Sequence, residues 1–526
     1  MKYACYLFIH SKMQHFRNNI IIIIIIIIIA FSFQLSSAQN KYDNIWIIGG
    51  PYYEPAGNTQ GGMILNFLQS PPEITFFENI VDFGGIAVIS DSSGNLVGYS
   101  SGCNIINSEY EIVEGSNDIN EGDTHELYCT YYGYPFLQGF MFLTMPGNEK
   151  SYVLIHEWRF LHSNQATELK YSVLKINTQF PLGYMIEKNL VAGNGFFADQ
   201  LSAVQHANGR DWWLTVPYYN LEFDTHAYYH FLLDPTGLHF SHRQDFPEEY
   251  WDNYYWPGQT CFSPDGRYYA RADPQNGLIV FDFDRCEGML SHPRRATLND
   301  DVETGAAGVA FSPNSRFLYA NTLVNIYQHD MNVPDLQASQ TLVAEFDYYY
   351  HQGVVATVFF QEALAPDGKI YISVPNTVPY LHVIHQPDKK APFCEVEQRG
   401  LPLPVKNSWT VPNIPHFRTG PVDGSACDTL GIDAPIVEPP DPPDTPDCIG
   451  QGLKIAPNPV SEVLYIGNYS CGEVSIYNVL GQLVKEMDTT QELVWDVRAI
   501  PSGVYYVVLR KDGRVVEVKP VVVSMY

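Results

Sequence analysis

Two short motifs carry side chains that could do chemistry. Residues 98–102 read GYSSG and fit G-x-S-x-G, a pattern in which a serine on a sharp turn between a strand and a helix acts as a nucleophile. The residues that follow predict a second strand instead of a helix, so we expect no catalytic serine here. His156-Glu157 starts like a zinc-protease motif, but Phe160 stands where the second histidine ligand belongs.

The sequence also contains several candidate metal ligands. The segment Asp91–Asn95 has part of a calcium-loop pattern, but its glycine is misplaced and no bidentate glutamate follows, which favours a hairpin turn. His226 and His230 lie in strand-like sequence, where residues i and i+4 are about 13 Å apart and too distant to share an ion. His382 and His385 are no better placed. The sequence therefore predicts no metal site and no cofactor.

Clusters of aromatic residues beside turn sequences are the best candidates for ligand binding. Aromatic rings on loops stack on sugars and anchor protein interfaces. The alternative is that these rings pack between neighbouring sheets. Two of the clusters are Tyr218-Tyr219 and Tyr348–His351. A third cluster supplies the predicted binding residues: Tyr250, Trp251, Tyr254, Tyr255 and Trp256.

The elements that would hold these side chains follow from composition. The chain has 526 residues, of which 45% are hydrophobic and 17% charged, enough to bury a core and to exclude wholesale disorder. Aromatic residues make up 14%, and 39 Gly and 36 Pro accompany them, which favours strands joined by frequent turns. The net charge of −28 repels phosphate backbones, so we expect no nucleic-acid partner.

Residues 1–38 predict a secretory signal peptide. Basic residues precede the apolar run Ile20–Ile29, and small residues lead up to a cleavage site after Ala38. A membrane anchor is the alternative, but the apolar stretch is shorter than the roughly 20 residues that a spanning helix needs. No later stretch is long and apolar enough either, so we expect a mature chain without an integral membrane span.

Composition divides the rest of the chain into three segments. Residues 428–450 are rich in Pro and Asp, which cannot pack a core and favour an extended linker. A large unit, residues 39–427, precedes this linker. A tail, residues 451–526, follows it.

The large unit contains a repeated turn. FSPDGR, FSPNSR and LAPDGK each precede an aromatic and β-branched strand, and their prolines, Pro264, Pro313 and Pro366, are 49 and 53 residues apart. A repeat near 50 residues is typical of β-propeller blades, which stack radially because one blade cannot bury both faces alone. We predict an all-β, seven-bladed β-propeller, with six blades as the alternative. Ile45–Ile48 is expected to close the ring by joining the last blade, and the repeated turns to lie on one rim.

The repeated motifs FSPDGR, FSPNSR and LAPDGK, with the strands that follow them, resemble those of WD-like and YVTN-type propellers. The stretch Ile89–Gly102, Trp212-Trp213 and residues 308–313 and 326–330 are also similar to the propeller region of large secreted Bacteroidetes proteins. The similarity extends over most of residues 43–420. It implies fold and export, and it implies no catalytic residues.

The tail predicts a small antiparallel β-sandwich of about seven short strands. The tail also contains, in this order, Pro457, Asn458, Pro459, Gly481, Gly503, Tyr505 and Lys519. With these residues it resembles the C-terminal sorting domain of the type IX secretion system, with a generic fibronectin-like module as the alternative. The resemblance implies handling by the type IX machinery, transit across the outer membrane, removal of the tail, and surface attachment or release.

Eight cysteines remain after the signal peptide, and an even number in an exported chain predicts disulfides, although eight allow 105 pairings. Because the resemblance implies that the tail is removed, a bond between Cys427 and Cys448 would tether a discarded segment. Sequential pairing avoids this conflict, and we expect Cys261 to bond Cys286. The pairs are Cys103–Cys129, Cys261–Cys286, Cys394–Cys427 and Cys448–Cys471.

The function predicted from these features is a secreted or cell-surface propeller that binds a glycan or a protein and catalyses nothing. A secreted polysaccharide hydrolase or lyase is one alternative, and it needs convergent acids, or a Tyr/His pair, on the face where the blades funnel inward. A purely structural adhesin is the other alternative.

Overall fold

The computed structural model separates the chain into two compact units, Met1–Ala434 and Pro435–Tyr526, called unit 1 and unit 2. The structure describes residues 40–49, 61–77, 85–129, 133–161, 166–197, 199–220, 225–246, 258–274, 276–298, 308–409, 411–428, 454–456, 458–467, 473–478, 482–487, 493–511 and 514–524.

Unit 1 begins with two small antiparallel sheets. Their strands are β1 (Ile45–Gly49), β2 (Gly62–Asn66), β3 (Glu73–Phe77), β4 (Ala87–Ser90), β5 (Leu96–Ser100) and β6 (Ile106–Asn107). In both sheets the strands lie side by side in chain order. Aliphatic and aromatic residues dominate these strands because such side chains pack well on a pleated, half-buried surface.

Two longer meanders follow the short helix α1 (Asp123–Tyr128). Their strands are β7 (Phe140–Thr144), β8 (Ser151–Trp158), β9 (Ala166–Lys175), β10 (Tyr184–Phe197), β11 (Ser202–Gln205), β12 (Trp212–Asn220), β13 (Thr225–Asp234) and β14 (Gly237–Asp245). The first four and the last four strands each form an antiparallel meander. A single pairing, between Phe197 of β10 and Tyr218 of β12, joins them into one eight-stranded sheet.

Three more four-stranded sheets complete unit 1. They contain β15 (Gln259–Phe262), β16 (Tyr268–Asp273), β17 (Gly277–Asp284), β18 (Met289–Ala296), β19 (Gly308–Phe311), β20 (Phe317–Asn321), β21 (Asn325–Asp330), β22 (Thr341–Glu345), β25 (Glu362–Leu364), β26 (Ile370–Ile372), β27 (Val378–Ile384) and β28 (Val396–Asn407). The helix α2 (Leu336–Ser339) precedes β22, and the hairpin of β23 (Tyr350–His351) and β24 (Val355–Ala356) precedes β25. Each of the three sheets is a meander in chain order.

Six turns join the first two strands of successive sheets or half-sheets, and three of them are the repeated turns predicted from sequence. Five of them place a glycine in the left-handed region, as Gly266 (φ 72°) and Gly368 (φ 79°) illustrate, and the sixth places Ser315 there (φ 59°). Glycine adopts this conformation without steric cost, whereas serine does not. The backbone N–H of Asp265 donates to Ser315 Oγ at 3.1 Å, so two consecutive turns lie side by side.

The core of unit 1 lies between sheets. One buried cluster packs β16 and β17 against β19 and β20 through residues such as Val280 and Leu318. A second joins β19–β22 to β25–β27 through Tyr319 and Ile372. First strands of neighbouring sheets also contact each other in the pairs β1 with β4, β4 with β7, β11 with β15, β15 with β19, and β19 with β25.

The predicted role of Ile45–Ile48 as a strand of the last blade is wrong. These residues form β1, which pairs along its whole length with β2 in its own sheet. β1 meets the last sheet by packing instead, with the Trp46 ring 5.9 Å from the ring of Tyr371. Its side chains are buried throughout, so the hydrophobic pattern could not distinguish strand pairing from packing between sheets.

Unit 2 contains two antiparallel sheets over one hydrophobic core. The first has the strands β29 (Lys454–Ala456), β30 (Val463–Gly467) and β33 (Leu493–Asp496), and the second has β31 (Glu473–Asn478), β32 (Leu483–Met487), β34 (Gly503–Lys511) and β35 (Arg514–Val523). Trp495 of the first sheet and Val507 of the second belong to the same buried cluster. The Asn458 side chain makes two hydrogen bonds to the last strand. It donates to the Pro520 carbonyl at 3.0 Å and accepts from the Val522 N–H at 2.8 Å.

The disulfides differ in part from the sequential pairing. Cys103 bonds Cys129 as predicted. Cys286 bonds Cys427, which corrects both the Cys261–Cys286 and the Cys394–Cys427 predictions. Cys261 and Cys394 are free thiols. The pairing rule failed because it used nearness along the chain, whereas residues 411–427 return across the sheets to reach Cys286. Cys448 and Cys471 lie outside the described residues.

Candidate binding site

The hairpin of β23 and β24 carries the most exposed aromatic cluster in the described part of unit 1. Tyr348, Tyr349 and Tyr350 are 72%, 40% and 46% exposed, whereas Phe346, which precedes them, is buried. Since rings of this size are normally covered, three consecutive exposed tyrosines on one hairpin indicate a binding surface. The hairpin joins the outer strand β22 of one sheet to the first strand β25 of the next.

An arginine from the neighbouring sheet fixes this hairpin. Arg399 Nη1 and Nη2 lie 3.1 and 2.5 Å from the Asp347 oxygens Oδ1 and Oδ2, a bidentate ion pair. Nη1 also donates to Thr357 Oγ1 at 3.2 Å. The guanidinium lies 4.4 Å from the centre of the Tyr349 ring, a cation–π contact. Hydrogen bonding to Arg399 holds the pKa of Asp347 below its usual value, so this ion pair is formed at neutral pH.

Backbone contacts hold the rest of the cluster in place. The Thr357 N–H and hydroxyl both donate to the Tyr349 carbonyl, at 3.3 and 3.2 Å. Gln398 Nε2 donates to the Glu345 carbonyl at 2.7 Å, at the start of the connection. The rings of His351 and Tyr380 are 5.6 Å apart. We call Tyr348, Tyr349, Tyr350, His351 and Tyr380, with Arg399 and Asp347, the tyrosine platform; its exposed rings, fixed carboxylate and guanidinium suit stacking combined with hydrogen bonding.

The binding residues predicted from sequence are not tested by this geometry. Tyr250, Trp251, Tyr254, Tyr255 and Trp256 lie outside the described residues, in the connection between β14 and β15. The other two aromatic clusters have different outcomes. Tyr218 is buried against Phe197 and Tyr229, and Tyr219 stacks on His226, so those rings pack within the sheet. Of these two clusters, Tyr348–His351 reaches the surface.

The G-x-S-x-G serine has a structural role. Ser100 is buried at the end of β5, donates from Oγ to the Asn104 carbonyl at 2.6 Å and accepts from the Gly102 N–H at 3.0 Å. No helix follows it before α1, and Cys103 is held in a disulfide. The strand–turn–helix geometry of a nucleophile elbow is therefore missing around this serine.

The histidines singled out from sequence also make internal contacts. The ring nitrogens of His156 lie 2.7 Å from Asn120 Oδ1 and 2.9 Å from Ser172 Oγ, and burial lowers its pKa to about 3. His230 is buried and stacks on His242. His382 is buried in the last sheet, and His385 pairs with Glu397 at 2.7 Å. Among the described residues, the two groupings that could hold an ion each include a disulfide, Cys103–Cys129 or Cys286–Cys427, whose sulfurs are not thiolates.

Buried carboxyl groups are the feature that sequence reasoning missed. Glu157 and Glu362 are at most 1% exposed, and within the described residues neither has a hydrogen-bond partner for its side-chain oxygens. Burial raises the pKa of both well above the usual value. Burial also raises the pKa of Asp199 to about 6, although it accepts hydrogen bonds from the N–H groups of Leu137 and Gln138. Such shifts occur in catalytic acids. Glu157 and Glu362 are closed off from solvent, whereas Asp199 is partly exposed.

Replacing Glu362 by Gln should make unit 1 more stable at high pH. Between the unfolded pKa of about 4.3 and its raised folded pKa, the native state holds a proton that the unfolded state has lost, so stability falls as pH rises, by up to about 1.4 kcal/mol per pH unit. Glu362→Gln removes this loss. Urea unfolding at pH 4 and pH 8 measures it, with the exposed Glu73→Gln as control. Parallel pH curves for wild type and Glu362→Gln would show that Glu362 does not titrate this way.

The antiparallel meander sheets of unit 1, with their contacting first strands, are arranged like the blades of a β-propeller. More particularly, residues 454–524 match the family model described as the secretion system C-terminal sorting domain. The predicted resemblance of the tail to the type IX sorting domain is thereby confirmed, and this tail marks the protein as one that is secreted or displayed at the cell surface. In the described segments, no helix is long and apolar enough to cross a membrane. No curated protein matches the chain.

Three solved structures have weak similarity to the chain. A protein from Lactobacillus plantarum is 12% identical with a TM-score of 0.38, over 70% of this chain and 97% of its own. PorZ, a surface component of the type-IX secretion system of Porphyromonas gingivalis, is 11% identical with a TM-score of 0.29, over 88% and 73%. Sqt1 of Chaetomium thermophilum, bound to the N-terminus of ribosomal protein L10, is 11% identical with a TM-score of 0.38, over 70% and 86%. These values assign no activity to this chain.

Proposed function

We propose that unit 1 closes into a ring of seven blades and that unit 2 folds as a small β-sandwich. Six sheets or half-sheets begin with β4, β7, β11, β15, β19 and β25. The seventh blade combines β1–β3 with residues 411–417, which run back beside β1. The Ser408 N–H donates to the Gly49 carbonyl at the end of β1, and Arg418 pairs with Asp43 before its start, which supports this course. Six blades is the alternative if β1–β3 do not form one.

We further propose that the protein binds a glycan or a protein and is not an enzyme. The observation that carries this proposal is the tyrosine platform, which exposes three rings while an ion pair and backbone hydrogen bonds hold them fixed. Pre-organised aromatic faces lose little conformational entropy on binding, and they stack on sugars and anchor interfaces. Glu157 and Glu362 give the hydrolase or lyase alternative no support, because both are buried and cannot contact a polysaccharide.

The loop with Tyr250 and Trp256 is proposed as a second contributor to the same face. It joins β14 to β15, as the tyrosine platform joins β22 to β25, from the outer strand of one sheet to the first strand of the next. In a propeller, connections of this type lie on one face. The repeated turns join first and second strands and therefore belong to the opposite face.

Replacing the three exposed tyrosines should remove binding without unfolding the protein. Tyr348→Ala, Tyr349→Ala and Tyr350→Ala together should weaken retention on a glycan array, or in a pull-down of surface proteins, by at least about tenfold, because each stacking contact is worth about 0.5–1.5 kcal/mol. The melting temperature should change little, since the rings are exposed. Phe393→Ala, at an equally exposed ring in another loop, is the matched control.

Two results would count against this assignment. Unchanged retention by the triple variant would move the binding site elsewhere, and the β14–β15 loop variant Tyr254→Ala, Tyr255→Ala and Trp256→Ala would then be tested on the same array. No retention of wild type on either screen would favour the purely structural adhesin.

A further inference from the structure

The end of unit 1 runs back across several sheets. We call residues 411–427 the closing segment. Its Asn413 N–H donates to the Ile86 carbonyl beside β4, and its Gly420 N–H donates to Gln205 Oε1 at the end of β11. Between these points, the Phe417 ring lies 5.3 Å from the rings of both Tyr42 and Trp212. The segment therefore holds together sheets from different parts of unit 1.

Contacts become sparse towards the end of the closing segment. Val422 N–H donates to the Ala207 carbonyl at 2.8 Å, and residues 421–424 are exposed. A chain end held by few buried contacts frays at low free-energy cost, and fraying then proceeds inward residue by residue. The closing segment is exposed to this process from its C-terminal side, where the acidic linker begins at residue 428.

Two adjacent residues on the turn after β17 oppose that fraying. Arg285 donates to the Gly420 carbonyl, and its Nε donates to the Gln205 carbonyl at 2.7 Å. Cys286 bonds Cys427, the last residue of the closing segment and one that is buried. The disulfide therefore lies directly before the predicted linker, which begins at residue 428.

We propose that the Cys286–Cys427 disulfide is a clip, a covalent bond that keeps the closing segment bound to the sheets of unit 1 when the linker and tail are pulled or cleaved. A load applied to the linker passes through Cys427 to Cys286 and the β17–β18 turn, so it does not reach Gly420, Phe417 or Asn413. Without the bond, the same load acts directly on Val422 and then detaches the closing segment progressively towards Asn413.

Amide hydrogen exchange on the full mature chain tests the clip. In the variant Cys286→Ser with Cys427→Ser, the amides of Gly420 and Val422 should exchange at least tenfold faster than in wild type. Amides of β20 and β26 should keep their protection, because the opening is local. The matched control, Cys103→Ser with Cys129→Ser, removes the other disulfide of unit 1 and should leave Gly420 and Val422 unchanged. Equal protection of these two amides in wild type and in the Cys286/Cys427 variant would overturn the proposal.

Single-molecule pulling between the two chain termini gives a second readout. The Cys286/Cys427 variant should show an early step that releases about 17 residues, roughly 60 Å of chain, before any sheet unfolds. Wild type should lack this step, and its presence in wild type would contradict the clip. If the variant fails to fold, wild type that is reduced with dithiothreitol after folding replaces it in both experiments. Because dithiothreitol breaks both disulfides, the Cys103/Cys129 variant is then compared before and after reduction, which opens Cys286–Cys427 alone.

Discussion

Deleting residues 452–526 should abolish surface delivery and leave the protein in the periplasm. The deleted residues contain the whole stretch that matches the sorting domain family, and they form a unit with its own buried core. Since unit 1 has a separate core, its folding should not depend on the tail. Cell fractionation and protease shaving of intact cells, followed by immunoblotting, measure where the truncated protein resides.

Point variants of unit 2 test whether surface delivery requires a folded tail and not only the presence of its sequence. Trp495→Ala removes a fully buried ring that lies 5.4 Å from the Tyr505 ring, and such changes cost about 3–5 kcal/mol. It should reduce surface delivery strongly. Tyr465→Ala, at an exposed ring of the same unit, should not. Normal surface delivery of the truncated chain would refute the role of the tail.

Local sequence signals predicted the features that depend on local chemistry. The repeated turns were recognisable because a left-handed position favours Gly, and their strands because aromatic and β-branched residues cluster after each turn. The turn at Ser315 has serine in the glycine position, but the surrounding residues, FSPNSR, retain the repeated motif. The tail was recognisable for a similar reason: Asn458 and Tyr505 make specific contacts, with Pro520 and Pro501 carbonyls, that constrain their identity.

Features that depend on contacts between residues far apart in the chain could not be predicted from local sequence signals. Cys427 is 141 residues from its partner, and nothing near either cysteine encodes that distance. The partner of β1 was ambiguous because both of its faces are buried. Exposure of Tyr348 and burial of Tyr218 could not be told apart either, since both lie in tyrosine-rich sequence and only the sheet arrangement distinguishes them.

Buried amide side chains between first strands are a further long-range feature. Gln259 Oε1 accepts from the N–H groups of Val309 and Glu362, both at 2.9 Å, which links β15 to β19 and β25. Gln138 makes a pair of hydrogen bonds with the backbone of Thr260, at 2.9 and 3.0 Å. An amide suits such a position because it donates and accepts at once and so satisfies backbone groups that no neighbouring strand reaches.

Asn413 is the amide whose loss should be most costly. Its Nδ2 lies 3.3, 3.2 and 3.0 Å from the carbonyl oxygens of Gln138, Phe140 and Leu201, and its Oδ1 accepts from Gln138 Nε2 at 3.3 Å. One side chain of the closing segment thus bridges the starts of β7 and β11. Removing it takes a donor from three buried carbonyls, of which the Gln138 carbonyl still accepts from the Leu201 N–H. Each buried group left without a partner costs about 1–3 kcal/mol.

Asn413→Ala should therefore lower the free energy of unfolding by about 3 kcal/mol, and Asn413→Asp by more at pH 7. A buried aspartate cannot donate to the three carbonyls and places a negative charge beside them, so its folded pKa would rise. Protonation restores a donor, and the Asp variant should regain part of its stability as the pH falls towards 4. The Ala variant has no such group and should show the pH dependence of wild type. Urea unfolding at pH 4 and pH 7 measures these differences, with the exposed Asn332→Ala as control. If Asn413→Ala and Asn332→Ala were equally stable, Asn413 would not bridge these strands in solution.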